Sequence, residues 1–88
     1  MPIKKKSECP YTKEELAEAL AEVPWEKAKI MGGEWVAYCT YCGAAVEVSS
    51  DRRIVETVAL MHAARNPEHQ VIVGREILGR SYGVCAEP

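Results

Sequence analysis

Two cysteines and two histidines are the residues of this chain best suited to carry out chemistry. Cys39 and Cys42 are separated by two residues and followed by Gly43, while His62 and His69 are the only histidines in the sequence. Two thiols at this spacing can close on one metal ion, since the glycine permits a tight turn. Two sulfur and two nitrogen donors form the closed tetrahedral set that zinc favours in structural sites. The four residues therefore predict a structural Zn²⁺ site.

Other interpretations of these residues stay open at this level. A histidine on an apolar helix face, as expected for His62, is usually a core histidine bonded to a backbone carbonyl. Six residues separate the two histidines, against three to five in the usual finger spacing. Cys39 and Cys42 are also compatible with a disulfide or a metal-free thiol pair, whereas a thioredoxin-like motif is disfavoured because no strand-helix-strand unit follows.

Cys9 and Cys85 lie near the two ends of the chain and are the remaining cysteines. A disulfide between them would close almost the whole sequence into one loop, which the chain-entropy model values at about 4 to 5 kcal/mol. Two free buried thiols are the ordinary alternative.

Length and composition predict one small domain that needs a metal or a disulfide to stabilise it. A chain of 88 residues without phenylalanine buries only about 60% of the surface that its unfolded form exposes. No stretch approaches the roughly 20 apolar residues of a membrane span, and the first residues do not read as a signal peptide. We expect an intracellular protein, in the cytoplasm or nucleus, without a membrane partner.

The periodicity of the chain predicts helices around the metal site. A capping box of Thr12 and Glu15 begins a first helix over 13–23, which Pro24 ends. A second helix over 51–65 carries Ile54, Val58 and His62 on its apolar face.

Strands are predicted between and after these helices. Residues 28–31 and 34–38 flank Gly32-Gly33, a dipeptide typical of a two-residue hairpin turn, and 44–48 alternates as a short strand. Residues 70–73 and 77–78 are apolar enough for a C-terminal hairpin, with Gly74, Gly79 and Gly83 as turns or bulges.

The predicted fold class is α+β. A small zinc-finger core of hairpin plus helix is extended by an N-terminal helix and a C-terminal β-hairpin. The single domain 1–88 divides into a tail (1–10), the N-terminal helix (11–24), the finger (25–69) and the C-terminal hairpin and tail (70–88).

The finger segment resembles a known family. Trp25, the run from Gly33 to Gly43 with its two cysteines, the following helix and the paired histidines are similar to a BED-type finger, a variant of the two-Cys two-His zinc finger. The resemblance covers about residues 25–69. It implies that Cys39, Cys42, His62 and His69 hold zinc, that the aromatic residues ahead of the finger pack, and that the domain binds DNA.

The charge of the chain weighs against DNA binding. The net charge is −2, and the cationic candidates for a nucleic-acid contact are Lys4, Lys5, Lys6, Arg52 and Arg53. Since phosphate affinity comes from clustered Lys and Arg, a protein partner is the close alternative. We predict no enzymatic activity and no small-molecule substrate, because four protein ligands leave zinc no open position for water.

Overall fold

The elements of the fold are seen in a computed structural model, which describes residues 11–85. Within this range the helices are α1 (Lys13–Ala21), α2 (Trp25–Ile30) and α3 (Arg52–Arg65), and the strands are β1 (Trp35–Cys39), β2 (Ala44–Ser49), β3 (Val71–Ile77) and β4 (Arg80–Cys85). The strands form one antiparallel sheet in the order β2-β1-β3-β4. The predicted α+β class is confirmed, with a hairpin-plus-helix core, an N-terminal helix and a C-terminal hairpin.

The N-terminal end of α1 is a capping box, as predicted. The Thr12 hydroxyl accepts a hydrogen bond from the Glu15 amide at 3.2 Å, and the Thr12 amide donates to the Glu15 carboxylate at 3.2 Å. Two amides that the helix cannot satisfy internally thereby gain partners. The helix ends at Ala21, two residues before the predicted end.

The prediction of a strand over 28–31 was wrong, because this segment is helix α2. Its end is a Schellman motif, in which the Gly33 amide donates to Ala28 O at 2.9 Å and the Gly32 amide to Lys29 O at 3.0 Å. Gly32 has a φ of 77°. The glycine pair therefore ends a helix instead of joining two strands.

Strand β1 separates two hydrophobic clusters. Its alternate side chains Ala37 and Cys39 pack with Val55 and Ala59 of α3, with Trp35 half-buried against that cluster. On the opposite face of the sheet Val36, Tyr38 and Ile72 pack with Leu20 and Val23. The predicted alternation along β1 is confirmed, and α3 is held against the face that carries Cys39.

Helix α3 begins at its predicted cap and packs through a face slightly rotated from the predicted one. The Asp51 carboxylate accepts from the Arg53 amide at 2.9 Å. Val55 and Ala59 are fully buried, whereas Ile54, predicted to lie on the apolar face, is 49% exposed. Leu60 is half-buried.

The C-terminal hairpin is longer than predicted. Ile77 pairs with Arg80 across a turn made by Leu78 and Gly79, so residues 77–78 are not its second strand. Gly74 and Gly83 face each other within the strands. A Cβ atom at Gly74 would lie 2.2 Å from Leu20 Cδ2, and one at Gly83 would lie 2.7 Å from Leu20 Cδ1. These glycines make room for α1 and are not turns or bulges.

Among residues 11–85, no helix is both long enough and apolar enough to cross a bilayer.

Candidate metal centre

The turn between β1 and β2 presents two thiols on the same side of the sheet. Cys39 is the last residue of β1, and Gly43 donates its amide to Cys39 O at 2.8 Å with a φ of 66°. The Cys42 amide lies 3.3 Å from Cys39 Sγ and donates to it. A tight turn that needs a left-handed residue explains the glycine, and it brings the second cysteine over the first.

The histidines reach this turn from α3 and from the loop that follows it. His62 lies one turn beyond Ala59, on the side of α3 that packs against β1. Asn66 ends the helix and donates its side-chain amide to His62 O at 3.0 Å. The His69 amide then donates to Asn66 O at 2.8 Å, so the loop turns back toward the thiols.

Four of the six distances between the donor atoms are close to the edges of a zinc tetrahedron. His69 Nδ1 lies 3.4 Å from Cys39 Sγ and 3.5 Å from Cys42 Sγ, while His62 Nε2 lies 3.8 Å from Cys42 Sγ and 3.0 Å from His69 Nδ1. Zn–S bonds of about 2.3 Å and Zn–N bonds of about 2.0–2.1 Å in tetrahedral geometry give edges of roughly 3.5 Å for S–N and 3.3 Å for N–N. All four atoms lie within 4.8 Å of one another. This cluster can hold one metal ion.

His62 does not behave as an ordinary core histidine. Its Nε2 faces Cys42 Sγ and His69 Nδ1, two of the other candidate metal ligands, and no backbone carbonyl is among these contacts. The long spacing between the histidines is accommodated because the second one lies on a loop. The two histidines offer different ring nitrogens, Nε2 and Nδ1, to the same point.

A short network supports the turn and the loop. The Thr40 amide and hydroxyl both donate to Gln70 O at 2.9 Å, which joins the cysteine turn to the residue after His69. Tyr11 Oη lies 3.0 Å from Thr40 Oγ1, and the Tyr41 ring stacks on His69 with centroids 4.2 Å apart and planes 20° apart. These supporting roles could not be predicted from the sequence, since no local pattern links Thr40 to Gln70.

The two thiols differ in their exposure to solvent. Cys39 is fully buried and Cys42 is exposed, and both are free cysteines. A hydrogen bond with the Cys39 side chain, followed by burial and the charge of that neighbour, raises the pKa of Cys42 above its ordinary value of 9.0. Without a cation this shift favours the protonated thiol of Cys42. A bound metal ion would instead stabilise both thiolates.

The arginines proposed for nucleic-acid contact differ in their surroundings. Arg52 forms an ion pair with Glu56, and its guanidinium lies 4.9 Å from the centre of the Trp35 ring. The Arg53 side chain is 90% exposed, with Nε 3.7 Å from Asp51 Oδ1. Both arginines therefore have an anionic neighbour, but Arg53 is the more exposed of the two and Arg52 also contacts an aromatic ring.

The proposed terminal residues are placed only in part. Lys4, Lys5, Lys6 and Cys9 lie outside the described residues. Cys85 ends β4, half-buried against the cluster that contains Leu20. The Cys9–Cys85 disulfide stays a prediction.

Comparison with known proteins adds no relative: no family model, curated protein or solved structure matches this chain. The fold and the site define it as a small α+β domain with a two-Cys two-His cluster able to hold a metal. Any assignment of function must rest on this geometry.

Proposed function

We propose that this chain is a zinc-stabilised binding domain. The composition and geometry of the cluster carry this proposal. Two thiols and two imidazoles are the donor set of structural zinc, and four of their donor-to-donor distances are close to the edges of a zinc tetrahedron. A site closed by four protein ligands has no position for a reacting water, so the metal would stabilise the fold without catalysing a reaction. Retention of thiolate ligands favours a reducing, intracellular location.

Metal content tests the first part of this proposal. Native mass spectrometry of the chain purified with zinc should give one zinc per chain, and Cys42→Ala and His62→Ala should each lose it. Met61→Gln is a matched control, since Met61 is adjacent to His62 on α3 but is 47% exposed. Zinc retention in both ligand variants would refute the site, as would loss of zinc in the control.

Duplex DNA is the ligand that the resemblance to BED-type fingers supports, and α3 is the element that would enter the major groove. Arg53 and Thr57 are exposed on the outer side of this helix. Arg53 can contact guanine or phosphate, with the Lys4-Lys5-Lys6 arm as a second cationic contact. The net charge of −2 implies few phosphate contacts and low affinity.

A protein partner is the second candidate, and one observation favours it. Ile54 and Met61 are 49% and 47% exposed, and they lie on one side of α3 with half-buried Val58 between them. Positions spaced by four and then three residues form a continuous apolar row along a helix, which is the usual anchor of a helix-in-groove contact.

One experiment separates the two ligands. If α3 binds DNA, affinity should fall with salt with a log-log slope of about −0.9 per phosphate contact, Arg53→Ala should weaken binding, and Met61→Gln should not. Absence of DNA binding at ~50 mM salt, where phosphate contacts are strongest, would refute the DNA proposal if the zinc site is intact. If α3 instead contacts a protein, Met61→Gln should weaken that binding and Arg53→Ala should not.

A further inference from the structure

The end of the sheet opposite the metal cluster carries an apolar patch. Cys39 pairs with Val71 at the metal end, whereas β3 runs past Arg75 to the β3–β4 turn at the other end. An ion pair of 2.8 Å between Lys29 and Glu76 fixes the end of α2 beside this turn. The exposed apolar residues here, which we call the α2–hairpin patch, are Met31 (60% exposed), Ile77 (39%) and Leu78 (98%).

Leu78 is unfavourably placed in two ways. With a φ of 51° it is the single non-glycine residue with positive φ in the part of the chain that the structure describes. Gly79 has a φ of 76°, and a two-residue hairpin turn with positive φ at both positions favours Asn-Gly or Gly-Gly. One exposed leucine is normal, but a strained backbone beneath a fully exposed leucine is an outlier of the kind that accompanies function.

A cavity of about 290 Å³ opens next to Leu78. Trp25 and Ala28 give it apolar walls, and its charged lining residues are Lys29, Glu34, Arg75 and Glu76. These charges are balanced, since Arg75 donates to Glu34 at 3.0 Å just as Lys29 pairs with Glu76. A lining with two cations and two anions does not favour a phosphate, a polycation or an anionic membrane surface.

From this surface we infer that a second copy of the chain docks on the α2–hairpin patch. A two-fold dimer needs a surface complementary to itself, so each feature must find its complement on the same patch. Here a protruding leucine adjoins an apolar-walled cavity, and each cation adjoins an anion. Leu78 of one copy enters the cavity of the other, and the opposite charges around the two cavities face one another across the axis.

The variant Leu78→Asn tests this inference without endangering the fold. Asparagine suits a positive φ better than leucine does, so the variant keeps or improves the turn while it removes the protruding side chain. Sedimentation equilibrium of the zinc-loaded full chain should show a wild-type mass that rises with concentration from 9.8 kDa toward about twice that value. Leu78→Asn should remain at the monomer mass over the same concentrations.

Ile54→Gln is the matched control, because Ile54 is also a large exposed apolar residue but lies on α3. It should dimerise as the wild type does. Hydrogen exchange compared at low and high concentration should show added protection at residues 29–31 and 76–79. A wild-type chain that stays monomeric would overturn the inference. Dimerisation of Leu78→Asn equal to the wild type, or protection confined to α3, would also overturn it.

Discussion

The substitution Cys42→Ser isolates the contribution of the metal to stability. Cys42 is exposed, so replacing its sulfur with oxygen removes little packing, whereas Cys39 is fully buried and a serine there would also bury a hydroxyl. Both histidines are half-buried and join the loop or helix to the turn. Cys42 is thus the candidate ligand whose loss should report mainly on metal binding.

The expected effect follows from the size of the domain. At about 0.05–0.15 kcal/mol per residue, the 88 residues give a total stability of about 4 to 13 kcal/mol. Structural zinc in finger peptides contributes about 10 to 16 kcal/mol of apparent binding free energy, which is comparable to the whole. We expect Cys42→Ser to cost at least about 3 kcal/mol with zinc present, which corresponds to roughly 12–24 °C in Tm for a domain of this length.

Calorimetric melts with zinc and with a chelator complete the test. Chelator should lower the Tm of the wild type strongly and leave that of Cys42→Ser nearly unchanged. In chelator the two proteins should agree to within about 0.5 kcal/mol, as for an ordinary surface substitution. Ala44→Ser introduces a hydroxyl at an exposed position just beyond the same turn and should follow the wild type. Equal destabilisation by Cys42→Ser with and without zinc would refute the reasoning, because the loss would then come from packing.

Three further measurements address other parts of the molecule. Burial and the Glu22 carboxylate raise the pKa of Tyr38 above its ordinary value of 10.0, so the folded state favours the neutral phenol. The contribution of Tyr38 to stability should be complete below about pH 10 and be lost as pH rises through the folded pKa. Thermal melts across this range should show a much smaller fall in stability for Tyr38→Phe than for the wild type. If Cys9 and Cys85 are bridged, thiol counting in denaturant and chelator without reductant should find two reactive thiols, whereas four would exclude the bond. Urea unfolding of Leu78→Asn at low concentration should show a gain of about 1 kcal/mol from relief of the left-handed backbone, and an unchanged or lower stability would contradict the strain at that turn.

The metal cluster was predictable because its signal is chemical and local. Two cysteines two residues apart need only a short turn to meet, and Gly43 supplies the positive φ of that turn. The chain has only two histidines, so they were the imidazole donors to consider. The helix caps at Thr12 and Asp51 were predictable for the same reason, since each depends on a hydrogen bond within three residues.

Elsewhere, tertiary packing decided between locally equivalent structures. Gly32-Gly33 suits both a hairpin turn and a Schellman end, and the buried Ala28 of α2 and the close fit of Gly33 against Val48 settle the choice. In the C-terminal hairpin the strand register depends on Gly74 lying against Leu20, more than fifty positions earlier in the chain. No window of neighbouring residues contains that information.

The contact of Leu20 with Gly74 and Gly83 restricts the order in which these positions can change. Gly74→Ala alone would force its new methyl group into Leu20, but after Leu20→Ala the same methyl group would enter vacated space. The double variant can therefore be reached in two orders. If Gly74→Ala comes first the intermediate contains a steric clash, and if Leu20→Ala comes first it contains a cavity. In proteins that evolve with this fold, we expect Leu20 to be replaced by a smaller residue before Gly74 or Gly83 gains a side chain.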